Sequence, residues 1–490
     1  MAATVAQVPV LETKRGKQTL LLLLAVAFLD FVDASIVNIA LPSIRTDLGF
    51  SVQNLQWVLS GYLLTYGGFM LLGGRAADLF GRRRILVAGT AVFFAASLSA
   101  GLAPSEGLLV TSRLVQGVGA AMMIPAALSI LTTTFTQPSD RQKALGAWGA
   151  VAGLASAVGV FLGGVIMDVI DWRWVFFVNL PVCVLVVRAM FRLIPADGPR
   201  RVARLDVGGA VLVTAGMLVL IYTMVKAPDA GWGAARTIAG FAGAGVTLAA
   251  FAGYEMRQSD PLFPFSILRI RGLAAADVTQ IVAMAGFYSM FFFITLYMQN
   301  VLHFFKIGIG AAYLFATFTV AIGAGIGTLF LAKSGTRPVI VFGALLGAAG
   351  IFWISRIPVD GSYVKNLLPA LLVMSLGLGP LFVGVTTAAQ AGVPPDKAGL
   401  AAALINSSTW LGGALGVAIF SAISTSRARH LLADHAIQAH ALTAGFQRAL
   451  LAAAIFLAAA AVIALRATNT RGEPEEPAVP PGAEPVGETA

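Results

Sequence analysis

Residues 73–83 read Gly73-Gly74-Arg75-Ala76-Ala77-Asp78-Leu79-Phe80-Gly81-Arg82-Arg83, and Arg84 follows. An acid framed by glycines thus closes one long apolar run, and a basic cluster opens the next. The glycines permit close backbone approach and a tight reversal, so the stretch reads as a turn between two helices. Asp78 ends a helix there, placed to meet the N-terminus of an opposing helix. A plain joint between membrane spans needs the basic residues. It does not need the acid or the glycine spacing.

Outward from this turn the chain is built for lipid. Of 490 residues 58% are hydrophobic and 11% charged, whereas a soluble domain carries roughly 25% charged residues. Apolar runs of about 20 residues, the length that spans a bilayer, recur from residue 18 to residue 466. They read as helices at about 18–40, 54–76, 84–104, 107–131, 144–167, 174–194, 206–226, 236–256, 272–297, 309–332, 337–356, 366–390, 399–424 and 443–466. We number them 1 to 14. The joints are too short to be domains, so the fold class is an all-α polytopic membrane protein. The polar joint from about Ser424 to Leu442 is expected to form a short surface helix.

Charge placement sets orientation. Basic residues gather in alternate joints: Lys14, Arg15 and Lys17; Arg82 to Arg84; Arg141 and Lys143; Arg200, Arg201 and Arg204; Arg257, Arg269 and Arg271; Lys333 and Arg337; Arg466 and Arg471. The positive-inside rule makes that side cytoplasmic, with both termini on it and an even number of spans. The expected location is the plasma (inner) membrane. The net charge of +10 is dispersed over joints, which excludes a nucleic-acid groove, since that needs one continuous basic surface. Cys183, alone in an apolar run, forms no intramolecular disulfide and reads as a packing residue. The basic cluster before Leu20 imitates a signal peptide, but the apolar stretch runs on to about Ala40 without a convincing cleavage site.

A repeat is visible. Gly81-Arg82-Arg83-Arg84-Ile85-Leu86-Val87-Ala88-Gly89 aligns with Gly335-Thr336-Arg337-Pro338-Val339-Ile340-Val341-Phe342-Gly343, each opening the third helix of a six-helix half. The expected organisation is a cytoplasmic tail at 1–17, an N-terminal half at 18–194, a linker with two inserted helices at 195–257, a C-terminal half at 258–466 and a disordered cytoplasmic tail at 467–490.

Polar groups inside spans point to function, because each needs a partner or water. Arg113 lies in helix 4; it either snorkels to the nearby outer end or faces the interior. Helix 1 offers Asp33 as counter-charge, with Asp30 one turn earlier on the same face. Two neighbouring carboxylates beside an arginine titrate as a coupled group, which suits a proton carrier. A static Asp33–Arg113 ion pair uses the same residues without moving protons. Asn38, Gln116 and Asn406 are candidate cavity groups, as are Tyr62, Tyr66, Met123, Trp148, Tyr288, Phe291 and Trp410, whose aromatic and Met character suits varied apolar ligands. Asp277 is an acid near the start of helix 9.

Jointly these stretches resemble the major facilitator family, and within it the fourteen-helix drug:proton antiporters. The Asp78 turn is similar to that family's Gly-x-x-x-Asp-x-x-Gly-Arg-Arg loop through Gly74, Asp78, Gly81, Arg82 and Arg83. The resemblance implies a latch between halves, acting near Lys397 to Gly399. Arg113-Leu114-Val115-Gln116-Gly117-Val118-Gly119-Ala120 resembles the Arg-x-x-Gln-Gly-x-Gly-Ala run tied to proton coupling. Asp33-Ala34-Ser35-Ile36-Val37-Asn38-Ile39-Ala40-Leu41-Pro42 and Trp172-Arg173-Trp174-Val175-Phe176-Phe177-Val178-Asn179-Leu180-Pro181 resemble two further runs of the branch. Gly159, Gly163 and Gly164 fit its antiporter helix 5, although Ala155 and Val160 stand where that pattern has glycine and proline.

The implied function is export of small apolar or amphipathic compounds in exchange for protons by alternating access, with protons, substrate and bilayer as partners and a monomer sufficing. A dedicated exporter of one metabolite or lipid is the alternative. No phosphate-binding Gly-x4-Gly-Lys-(Ser/Thr) loop marks an ATP-driven pump. His430, His435 and His440, five apart, do not stack on one helix face, so neither an enzyme nor a metal site is expected, and no cofactor.

Overall fold

The computed structural model describes residues 10–197, 206–258, 261, 263, 265–270, 272–393, 398–435 and 437–471. Expectations for the tails before residue 10 and after residue 471 lie outside the described residues. The described chain is helical and contains no strand. The long helices are α1 (Lys14–Leu48), α2 (Gln53–Phe80), α3 (Arg82–Gly101), α4 (Glu106–Thr134), α5 (Pro138–Val169), α6 (Trp174–Leu193) and α7 (Val207–Ala230). They continue as α8 (Ala235–Glu255), α9 (Leu273–Asn300), α10 (Lys306–Ser334), α11 (Thr336–Ile354), α12 (Tyr363–Gln390), α13 (Ala398–Ala433) and α14 (Gln438–Ala464). Thirteen spans are long and apolar enough to cross a membrane among the described residues. The 32-residue α5 occupies the place of the remaining one.

Two helices outrun their expected ends. α1 continues through Pro42 to Leu48, where Gly49 stops it in the left-handed region (φ 76°). Within a membrane bundle a proline is tolerated inside a helix because neighbouring groups re-satisfy the backbone it frees. α13 runs unbroken to Ala433, so the joint to α14 is short and the surface helix expected beyond Ser424 is the end of α13 itself.

The repeat shows in how each half caps its third helix. Gly81 and Gly335 precede α3 and α11 with φ of +107° and +85°, a region that L side chains avoid. In the N-terminal half Asp197, just after α6, accepts from the backbone N–H groups of Arg83 (3.1 Å) and Arg84 (2.9 Å). In the C-terminal half Asn469, just after α14, accepts from the Arg337 N–H at 3.0 Å. A side-chain oxygen on a helix N-terminus satisfies an orphan donor, and in both halves the chain leaving the sixth helix returns to supply it. The halves meet where α2 packs on α13, α5 on α10 and α1 on α9. α7 and α8 pack on each other, and α7 lies along the α2–α13 seam.

The bundle has two ends: the loop end, carrying the Asp78 turn, and the far end. At the far end polar contacts tie the three parts together. Arg429 of α13 pairs with Asp229 of α7 and donates to Gln53 of α2 at 3.0 Å. Gln53 in turn donates to the Val225 carbonyl of α7, and Lys226 donates to Asn54 at 3.2 Å. Apolar side chains such as Phe318, Leu329 and Phe330 on α10 point outward, as a lipid-facing surface requires.

Candidate functional site

Mid-bundle, α1 presents Asp30 and Asp33 one turn apart, both fully buried. Asp33 is saturated. Its Oδ2 accepts from Arg113 Nη1 at 2.7 Å. Its Oδ1 accepts from Gln116 Nε2 (2.8 Å) and Asn179 Nδ2 (2.6 Å). Arg113 also donates to Gln116 Oε1 at 2.6 Å and, through Nε, to the Val58 carbonyl at 2.9 Å. Gln116 Nε2 further reaches Ser97 Oγ at 2.9 Å. Arg113 is therefore an interior residue and does not snorkel. A buried ion pair needs extra hydrogen bonds on its remaining atoms; α2, α4 and α6 supply most of them here, while Arg113 Nη2 has no hydrogen-bond partner among the described residues.

Asp30 is held differently. Tyr62 OH donates to its Oδ1 at 2.7 Å and Tyr66 OH to its Oδ2 at 2.9 Å. Both partners are neutral. The Tyr62 ring also lies under Arg113, with the guanidinium carbon 4.2 Å from its centroid, a favourable cation–π placement. Trp410 of α13 stacks on Tyr66 (4.3 Å between centroids, 23° between planes) and meets Tyr62 edge-on at 6.4 Å. Tyr288 of α9 lies 6.0 Å from the same indole. One aromatic cluster thus joins the Asp30 carboxylate to the opposite half.

The Major Facilitator Superfamily profile matches residues 23–417. The chain belongs to the major facilitator superfamily. It is similar to the puromycin resistance protein of Streptomyces alboniger, at 39% identity over 85% of this chain and 83% of that one. It is 35% identical to the cephamycin export protein of Amycolatopsis lactamdurans, covering 85% and 86%. Identity to the tetracenomycin C resistance and export protein of Streptomyces glaucescens is 34%, covering 82% and 75%. In fold it is similar to a bacterial homologue of the lysosomal transporter Spinster in an inward-facing unoccupied conformation (TM-score 0.67, 16% identity, 92% and 96% covered). A D-xylose–proton symporter gives a TM-score of 0.64 at 14% identity, with 94% and 99% covered. These relatives place the chain in the drug-efflux branch of the superfamily, as a transporter and not an enzyme.

Against that family frame, the predicted site residues fall into groups. Asp33, Asp30, Arg113, Gln116, Tyr62, Tyr66 and Trp410 converge on one buried cluster. Tyr288 and Phe291 lie on the adjoining α9, half-buried, with Phe291 4.7 Å from the Tyr313 ring. Asn38 donates to the Ala34 carbonyl at 3.3 Å while its Oδ1 has no partner, and Asn406 donates to the Ala402 carbonyl at 2.9 Å. Met123 is fully buried in the N-terminal half, and Trp148 packs half-buried against the same core. Gly159 and Gly163 lie against Ser35, Val32 and Ile36, so these α5 glycines admit α1 at close range; Gly164 is buried beside them.

The latch residues sit apart, at the loop end. Asp78 is 56% exposed and pairs with Arg82 at 3.5 Å on its own turn. Gly74 faces Pro125 of α4, and Arg83 lies 4.8 Å over the Phe191 ring. Lys397, the expected start of the latch target, lies outside the described residues, as does the side chain of Ala398. A recess of about 660 Å³ opens elsewhere, at the far end between α13, α14 and Trp232, away from the acids. Sequence reasoning missed Asn179, Ser97 and Asp197. Asn179 was in a quoted run, but nothing in the run says which acid it serves.

Proposed function

We propose that the chain is a secondary active exporter of small apolar or amphipathic compounds, trading them for protons by alternating access between the half built on α1–α6 and that built on α9–α14. The observation that carries this is the buried pairing of Asp33 with Arg113 beside a second acid, Asp30, that has only neutral donors. The printed roles of the relatives, antibiotic resistance and export, support the substrate class. The loop end is cytoplasmic in this reading, with both termini there, in the plasma membrane.

The geometry supports a division of labour within the coupling group. Asp33 and Arg113 sum to zero charge and Asp33 accepts three donors, one of them the guanidinium, so they act as a fixed anchor. Asp30 has no cation in contact among the described residues, so in this reading it is the acid whose charge changes. A proton arriving from outside replaces one tyrosine hydroxyl's role at Asp30. Tyr66 and its stack on Trp410 then relax, and this alters the relative energy of the two facing states. In this reading the far-end ties among Arg429, Asp229 and Gln53, with Asp78 exposed at the loop end, belong to a state closed to the outside. Asp78 would engage the other half in the opposite state. The electrical gradient supplies roughly 2.3 kcal/mol per proton charge per 100 mV.

The test uses proteoliposomes and radiolabelled puromycin. Wild type should show both counterflow and uptake driven by a pH gradient. Asp30→Asn should keep counterflow and lose gradient-driven uptake. Gradient-driven uptake retained in Asp30→Asn would remove Asp30 from the coupling group.

A further inference from the structure

The C-terminal half holds an acid that the cluster above does not use. Asp277 of α9 is 7% exposed, and Gln280, one turn later, is fully buried. Each is tied to α13 by one atom only. Ser408 Oγ donates to Asp277 Oδ1 at 3.0 Å, and Gln280 Nε2 donates to Thr409 Oγ1 at 2.8 Å. The other oxygens, Asp277 Oδ2 and Gln280 Oε1, have no hydrogen-bond partner among the described residues. Residues three apart on a helix are neighbours, so two unpartnered acceptors lie on the same α9 face, held against consecutive residues of α13.

Two acceptors cannot satisfy each other. A carboxylate also does not persist buried without a cation or several donors. The charged and titratable groups on elements packed against α9 include Asp30, Asp33, Arg45 and Asp47 on α1, Arg269 in the turn before α9, Lys333 on α10, Lys365 on α12, Arg427, Arg429 and His430 on α13, and His440 and Arg448 on α14. None of these forms an ion pair with Asp277. A single proton on Oδ2 resolves both vacancies, because the protonated carboxyl donates where the carboxylate only accepts.

We propose that Asp277 is a second proton site, in the C-terminal half, whose proton is held on Oδ2 and shared toward Gln280 Oε1. When the proton leaves, the carboxylate needs donors that the α9–α13 contact does not offer, so the contact loosens. The site extends the proton-coupled reading above, but its test does not depend on transport.

Infrared difference spectra of purified protein at neutral pH read the site directly. Wild type minus Asp277→Asn should contain the C=O stretch of a protonated carboxylic acid, shifted in D2O and lost on raising the pH. Gln280→Leu should move that band, having removed its acceptor. Asp277→Asn should fold at least as well as wild type, since its amide can donate to Gln280. Absence of a protonated-acid band in the difference, or its replacement by carboxylate bands on adding sodium or tetraphenylphosphonium, would overturn the proposal in favour of a cation site. A band present in a protein that fails to couple export to protons would sink the coupling reading and leave this site standing.

Discussion

Asp33 in the N-terminal half has three donors on its two oxygens, one of them a guanidinium. Asp277 in the C-terminal half has one hydroxyl on Oδ1 and no partner on Oδ2 among the described residues. The halves share a plan down to the glycine and the returning cap at their third helices, yet they treat buried acids in opposite ways. The difference separates architecture from chemistry. Architecture is repeated because both halves must close the same kind of bundle. Charge is not repeated: the acid of one half is held by a cation and that of the other is not.

The largest effect expected from breaking this contrast is at Arg113. Arg113→Gln leaves Asp33 buried without its cation, which costs about 3–5 kcal/mol. Thermal unfolding in detergent should fall accordingly, and Arg113→Gln with Asp33→Asn should recover most of the loss. If the double variant is no better than the single one, Asp33 and Arg113 are not a compensating pair. Asp277→Asn removes no such partner and should leave unfolding nearly unchanged.

A smaller effect is expected at the aromatic link between halves. Trp410→Ala removes a ring stack worth about 0.5–1.5 kcal/mol beyond its buried area, so export should slow by up to roughly tenfold. Trp410→Phe should restore most of the rate. Equal rates for all three proteins would detach Trp410 from the Asp30 cluster's action.

The caps sharpen the other side of the comparison, where the halves should behave alike. Asp197→Ala and Asn469→Ala should each cost about 1 kcal/mol of stability, the usual worth of an N-cap side chain. Chemical denaturation of the two variants would show whether the costs match. A large inequality would mean that the repeat in the backbone is not a repeat in energy. The smallest stability change is expected at Asp78, whose exposed pair with Arg82 contributes at most about 1 kcal/mol. Asp78→Ala should nonetheless slow the transport cycle, and an unchanged rate would remove the latch.

How much of this was legible in the sequence follows from the range of each interaction. Spans were readable because about 20 apolar residues are a local requirement of the bilayer. The apolar stretch ends near Ala40, but α1 runs on to Leu48, because the bundle accommodates Pro42 inside the helix. The Asp33–Arg113 pair was legible because a charge deep in a span must find its opposite. Asp197 was not. It caps residues 113 and 114 positions away, from a loop with no pattern of its own. The roles of Tyr62 and Tyr66 as donors to Asp30, rather than as plain cavity walls, likewise depend on how α1 and α2 face each other.

The most direct test of the account is made in everted membrane vesicles. They are energised so that the lumen acidifies, and a pH dye is followed while a panel of lipophilic dyes and antibiotics is added. The account predicts proton release on adding several unrelated compounds, with the release lost in Asp30→Asn. Silence across the panel, with the protein correctly inserted, would contradict a multidrug:proton exchanger and favour a dedicated exporter of one metabolite or lipid.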